Sequence, residues 1–243
     1  EMKIEKLTQW IKEQLEKVVF NGYYPIKMQD VKAYAKGYGL GDISMTDLQE
    51  MVETEIVQMA RDIAQTDSLN DEQKFELIKR LYEFQPTLSA RDNDRINRQQ
   101  YSTPAPMAFL MGRFVMGDRN GVAAKQTKGL EPSAGNGMLT IGLPKEGMHV
   151  NDIDDMRVSN LQKQGFGEVT SQDGTLPFEQ RAYDVVVTNP PFGSVTPKVY
   201  DGLYEISALE HQMAINALES MKDSGRAAII IGGNTDYKTN GDL

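Results

Sequence analysis

From Ile4 to about residue 90 the apolar residues recur every three or four positions, the spacing that lines one face of an α-helix. Ile4, Leu7, Ile11, Leu15, Val18 and Val19 make the first stripe, and Asn21-Gly22 followed by Pro25 ends it. Ser44-Met45-Thr46-Asp47 reads as a second helix start, continued by Leu48, Met51, Val52, Ile56 and Met59. A third helix is expected from Asn70-Asp71-Glu72 onward, carrying Phe75, Ile78, Leu81 and Tyr82. These helices hold no residue pattern that suggests chemistry, and Trp10 reads as core. Residues 86–100 are polar and unpatterned, so a boundary is expected there: a helical N-terminal domain over 1–95 and a second domain over 96–243.

Beyond that boundary short apolar runs alternate with helical stretches. Residues 128–132, 149–154, 168–172, 183–188 and 225–231 are candidate strands; 107–116 and 204–221 are candidate helices. The runs Asp184-Val185-Val186-Val187 and Ala227 to Ile231 are apolar on both faces, as buried parallel strands are. The alternation predicts an α/β fold with a doubly wound, Rossmann-like sheet. The stretch from Gly137 to Val150 is short for a crossover helix and allows only a turn or two. The sequence stops soon after the fifth strand, where a sheet has a bare edge, so the chain is expected to be part of something longer.

Composition narrows the chemistry. The chain has no cysteine and only His149 and His211, which leaves neither disulfides nor a thiolate or histidine metal site to expect. No signal peptide and no run of roughly 18 apolar residues is present, and a cytoplasmic location is the expectation. The net charge of -9 weighs against nucleic-acid binding. Its distribution softens that, because Arg95, Arg98, Arg113, Arg119, Lys125 and Lys128 are opposed within residues 95–130 by Asp118 alone. Such a cluster is either a phosphate-contacting surface or a solvated face.

Four segments end strands with residues suited to a ligand. Leu130-Glu131-Pro132-Ser133-Ala134-Gly135-Asn136-Gly137 is a small-residue turn that lets backbone approach a ligand closely. It contains no Gly-Lys-Ser/Thr phosphate loop. It also fails the dinucleotide fingerprint, because Thr140 stands where the third glycine belongs. Val150-Asn151-Asp152-Ile153-Asp154 follows about twenty residues on. Of its acids one can bind ribose hydroxyls and the other cap the next helix, with Asp152 the better candidate for ribose. Ser171-Gln172-Asp173-Gly174 could receive an exocyclic amine, and by itself is indistinguishable from a turn. Thr188-Asn189-Pro190-Pro191-Phe192-Gly193 is the most specific. Asn-Pro-Pro-Phe arises by chance on the order of once in a thousand chains of this length. Its prolines remove donors and turn carbonyl oxygens outward, while Asn189 adds an acceptor and Phe192 a stacking face. That combination suits a planar ring bearing an NH2 group.

The order Gln100-Tyr101-Ser102-Thr103-Pro104, glycine turn, Asp152, Asp173 and Asn189-Pro190-Pro191-Phe192 resembles the amino-methylating DNA methyltransferases. The likeness is to the modification subunits of type I restriction-modification systems and related N6-adenine methylases, and it covers residues 98–233. It implies S-adenosyl-L-methionine as cofactor and the N6 amino group of a flipped adenine in DNA as acceptor. It implies that Tyr101, Ser102 and Thr103 hold the methionine end of the cofactor together with Glu131, Pro132, Ser133, Gly135 and Gly137. Asp152 would bind the ribose, Ile153 would pack on the adenine ring and Asp173 would take the ring's amino group. Asn189, Pro190, Pro191 and Phe192 would be the catalytic tetrad. No segment qualifies as a DNA-reading domain, so a further recognition domain or subunit is expected as partner. Methylation of guanine N2 in ribosomal RNA or of another amino group, and a non-catalytic module that keeps the fold within a larger defence or mobile-element protein, remain open. Phe192, where the glutamine methylases carry Tyr, weighs against glutamine as the acceptor only.

Overall fold

The computed structural model describes residues 2–22, 25–88 and 102–232. The first stripe forms α1 (Met2–Asn21), burying Leu7, Ile11, Leu15, Val18 and Val19. A helix that the periodicity did not announce, α2 (Met28–Gly37), follows; its Tyr34 stacks on Trp10 at 4.1 Å between ring centroids. α3 (Met45–Gln65) starts where Ser44 accepts the Asp47 amide, and α4 (Asp71–Phe84) where Asn70 and Gln73 form a reciprocal cap. α5 (Ala105–Met116) and a short α6 (Gly121–Lys125) lead into the sheet.

The expected doubly wound sheet is present. β1 (Gly129–Glu131), β2 (Met148–Asn151), β3 (Glu168–Thr170), β4 (Tyr183–Thr188) and β7 (Met221–Ile229) lie in the order β3-β2-β1-β4-β7, and every neighbouring pair is parallel. The path runs outward from β1 through β2 to β3, then returns to place β4 on the other side of β1. That reversal opens a crevice at the carboxyl ends of β1 and β4, the usual ligand position in such sheets. Between β1 and β2 there is no full helix, only 3-10 turns at Met138–Thr140 and Lys145–Gly147. α7 (Asp155–Gln162) joins β2 to β3.

The segment 204–221 is not one helix. β5 (Ser194–Tyr200) and β6 (Tyr204–Ala208) pair antiparallel, and only then does α8 (Leu209–Glu219) begin. The physical cause is the turn at Asp201-Gly202. Both residues have positive φ, at 51° and 67°, and the Leu203 amide reaches the Tyr200 carbonyl at 3.0 Å. That geometry folds the chain back on itself as a hairpin.

β4 separates two cores. Val185 and Val187 join a large cluster that continues through α5 into α1, α3 and α4, and Val186 joins a smaller one with Leu130, Phe178, Tyr183 and Ala217. The expected domain boundary at 95/96 lies outside the described residues; the apolar core runs unbroken from Leu7 to Val187. Buried Arg61 of α3 pins the helical layer to the sheet. Its guanidinium donates to the Thr140 carbonyl at 2.9 Å and to Gln164 Oε1 at 3.1 Å, and lies 5.2 Å from the Phe166 ring centre. Among the described residues no helix is long and apolar enough to cross a membrane.

Candidate functional site

A cavity of about 480 Å³ opens where the sheet order reverses. Of the residues singled out from the sequence, Ser102, Thr103, Glu131, Pro132, Ser133, Gly135, Asp152, Ile153, Asp173, Asn189, Pro191 and Phe192 line it. Tyr101 lies outside the described residues. Gly137 and Pro190 are not in the lining. Gly137, at φ 94°, turns the chain into the first 3-10 turn, and a methyl group on it would press against Gln164 and Phe166 at 3.3 Å. Pro190 is buried behind its loop.

The floor of the cavity is built by Asn151, the last residue of β2. Its Nδ2 donates to the carbonyls of Pro132 and Gln172 at 2.9 and 3.0 Å, and its Oδ1 accepts the Gln172 amide at 2.9 Å and the Thr170 hydroxyl at 2.8 Å. One side chain thus fixes the loops that leave β1 and β3. Asp152 continues the work: Oδ2 accepts the Gly135 amide at 2.8 Å and Oδ1 the Asp154 amide at 2.9 Å. Gly135 adopts φ 57°, a conformation that costs other residues strain, and this aims its N–H at the carboxylate. Asp154 accepts the amides of Met156 and Arg157, so it is the helix cap and Asp152 is the acid facing the cavity. Asp173 Oδ1 is held by the Thr175 amide and hydroxyl, both at 2.8 Å.

Glu131 ends β1 with no solvent exposure. Oε1 accepts the Ser133 amide at 3.0 Å, while Oε2 has no hydrogen-bond partner among the described residues. Burial pushes its carboxyl up to about 8, against hydrogen bonds from Ser133 and Thr188 that favour the charged form. Gln172 Nε2 is a second buried polar atom of the lining without a partner among the described residues.

Across the cavity, Asn189 Nδ2 donates to Thr103 Oγ1 at 3.1 Å, joining two segments 86 residues apart in sequence. Its Oδ1 has no partner among the described residues. The Gly193 amide after Phe192 donates to Glu210 Oε2 at 3.2 Å, and the Gly193 carbonyl accepts the Leu209 amide at 2.8 Å, which ties the loop to the start of α8.

One feature departs from the sequence expectation. The helical region was expected to carry no chemistry, yet α3 sends Glu53 into the cavity wall, where Oε1 accepts the Ser102 hydroxyl. Its neighbour Glu50 accepts Asn136 Nδ2 at 2.7 Å and lies 3.9 Å from the Arg157 guanidinium. A usable signal was present: Gln49, Glu50 and Glu53 share the helix with buried Leu48, Val52 and Ile56, polar groups on an inward face. Of the basic segment, Arg95 and Arg98 lie outside the described residues. Arg113 pairs with Asp71 at 2.8 Å, and Lys125 and Lys128 precede β1, at the sheet end opposite the cavity.

No protein-family model and no curated protein sequence matches the chain. Among solved structures it is similar to a Listeria monocytogenes protein assigned to the class I S-adenosylmethionine-dependent methyltransferases. Identity there is 17% over 93% of this chain and 73% of that one, with a TM-score of 0.48. It is also similar to a Thermoplasma acidophilum protein, at 22% identity over 53% of this chain and 65% of that one, TM-score 0.35. A third is an S-adenosylmethionine-dependent O-methyltransferase from Thermotoga maritima, at 12% identity over 58% of this chain and 50% of that one, TM-score 0.39.

Proposed function

We propose that this chain binds S-adenosyl-L-methionine in the cavity and directs its methyl group to an exocyclic amine, the N6 of adenine in DNA. The observation that carries the reading is the convergence of Asn189, Pro191 and Phe192 with the glycine turn and Asp152 around one cavity at the sheet's reversal point.

The residues present fit that cofactor. A volume of about 480 Å³ falls within the range of small-molecule sites. Asp152 stands at the end of β2 with carboxylate lone pairs to spare for ribose hydroxyls, and Ile153 offers an apolar surface beside it for a ring. Asp173 keeps Oδ2 for an amino group. The unpartnered Glu131 Oε2 accepts a donor from a cationic ligand.

When bound, S-adenosylmethionine supplies an electrophilic methyl group on a positively charged sulfur. The amine that receives it is a weak nucleophile, because its lone pair is delocalised into the ring. Asn189 Oδ1 accepts one of its N–H groups, which favours a tetrahedral nitrogen and frees the lone pair. Phe192 stacks on the ring and offsets part of the few kcal/mol spent on extruding the base. Asp152 and Glu131 would hold the cofactor for displacement of its methyl group by the amine, which leaves the thioether, and the amine's extra proton would pass to solvent. Positioning does most of the work.

The test is a transfer assay with methyl-labelled cofactor, offering unmethylated DNA, ribosomal RNA and protein extract separately, followed by digestion to nucleosides or amino acids and mass spectrometry. N6-methyladenine from DNA is the expected product. Label in RNA or protein overturns the acceptor, and absence of cofactor binding by calorimetry overturns the whole reading in favour of a non-catalytic module.

A further inference from the structure

The inward face of α3 carries Glu50 and Glu53, each about 5% exposed. A carboxylate turned inward needs partners. Glu50 has Asn136 and Arg157. Glu53 has the Ser102 hydroxyl, and among the described residues no cation pairs with it. An ionised carboxylate offers about four lone-pair sites, so one hydroxyl leaves most of that capacity unused. The cavity is what lies in front of it.

A second group in the same wall has the same deficit. Glu131 is wholly buried, and its Oε2 meets no donor among the described residues. The two remaining acids of the lining are held by backbone amides, Asp152 by Gly135 and Asp154 and Asp173 by Thr175, and their spare lone pairs are those already given to the ribose and the adenine amine. Arg157 is the single base among the described lining residues, and it already stands beside Glu50. The wall therefore holds surplus acceptors at Glu53 and Glu131 and, at Glu53, a carboxylate with no cation beside it among the described residues, which calls for a cation rich in N–H donors. A sulfonium carries charge without N–H groups. A primary ammonium carries charge and three donors.

We propose that Glu53 of α3, together with Glu131, forms an ammonium subsite whose occupant is the α-amino group at the amino-acid end of the cofactor. This rests on reading the cavity as the S-adenosylmethionine site. The helical layer is then part of the binding site: α3 grips the ligand directly and, through Ser102 and Thr103, the segment that meets Asn189.

The experiment is calorimetric titration of the full chain and of Glu53→Gln with three thioethers. S-adenosylhomocysteine carries the whole amino acid. 5′-(3-Aminopropylthio)adenosine keeps the amine without the carboxylate. 5′-Methylthioadenosine has neither. Gln keeps an acceptor for Ser102 and the shape of the side chain. Expected for Glu53→Gln is a loss of about tenfold or more for the two amines, with 5′-methylthioadenosine unchanged within about twofold. Retained 5′-methylthioadenosine binding also shows that the cavity is intact. Equal losses for all three thioethers, or no loss for the amines, overturn the subsite and leave the cofactor reading standing. If the unmutated chain binds none of the three, the cofactor reading falls and the subsite with it.

Discussion

The two walls of the cavity are built differently. On the wall of β1 and β2, Glu131, Asn151 and Asp152 are buried and tied to backbone amides and carbonyls of three loops. On the other wall Asn189, Pro191 and Phe192 are only half-buried, and the hairpin that follows presents Val199, Leu203 and Tyr204 to solvent at 62%, 78% and 55% exposure. Hydrogen bonds to backbone hold a geometry that a ligand need not induce. Exposed side chains on a two-stranded hairpin hold little by themselves. The first wall is thus fixed in advance, as a small cofactor requires, and the second is the more exposed, as the proposed transfer to a larger acceptor requires.

The sharpest way to break this contrast is Asn189→Ala. Methyl transfer is expected to fall on the order of a hundredfold or more, with cofactor affinity by calorimetry unchanged. A parallel loss of cofactor binding would erase the division of labour between the walls. Next comes Glu131. Its folded carboxyl titrates near 8, above its ordinary 4.5, so the folded state holds a proton that the unfolded state has released. Stability is therefore full below pH 4.5 and declines as pH rises from there through 8, by about 5 kcal/mol. Denaturant titrations across that window are expected to show the decline in the unmutated chain and its absence in Glu131→Gln; matching pH profiles would mean that the carboxyl is not held neutral. Asp152→Ala is expected to weaken cofactor binding by roughly tenfold to a hundredfold, since it removes both the ribose acceptor and the anchor of Gly135. Undiminished affinity would take the ribose role away from Asp152. The smallest effect belongs to the open wall: Leu203→Ser at the hairpin tip should change stability by less than about 0.5 kcal/mol and leave cofactor affinity alone. A drop in transfer to DNA with that variant would place the hairpin against the acceptor.

The fixed wall was the more legible in sequence, for a physical reason. Buried parallel strands need apolar runs, as at Val185–Val186–Val187, and loops at their ends need small or capping residues, as at Gly135 and Asp154. Both demands are local, so they leave local patterns, and most strand positions and the cap choice between Asp152 and Asp154 followed from them. The 3-10 turns before β2 followed from chain length alone. The hairpin was misjudged because Ile206, Leu209 and Met213 fit helical spacing across its junction, while the decisive Asp201-Gly202 turn is only two residues long. Glu53 went unnoticed for a different reason. The inward polar positions Gln49, Glu50 and Glu53 mark the face within the helix, but the partner Ser102 is 49 residues away, and no pattern within one helix says which neighbour that face meets.

Those distances also constrain how the chain can be made. Glu50 waits for Asn136, 86 residues downstream, and Arg61 for Gln164, 103 residues downstream. At ordinary rates of synthesis that interval is roughly 5 to 20 s, during which the first helices have left the ribosome with a charged, half-apolar face uncovered. Nascent chains halted before residue 136 should accordingly be cut by protease within α3, and chains halted well past residue 192 should resist. The newborn helical layer is in this sense a client of its own carboxyl half.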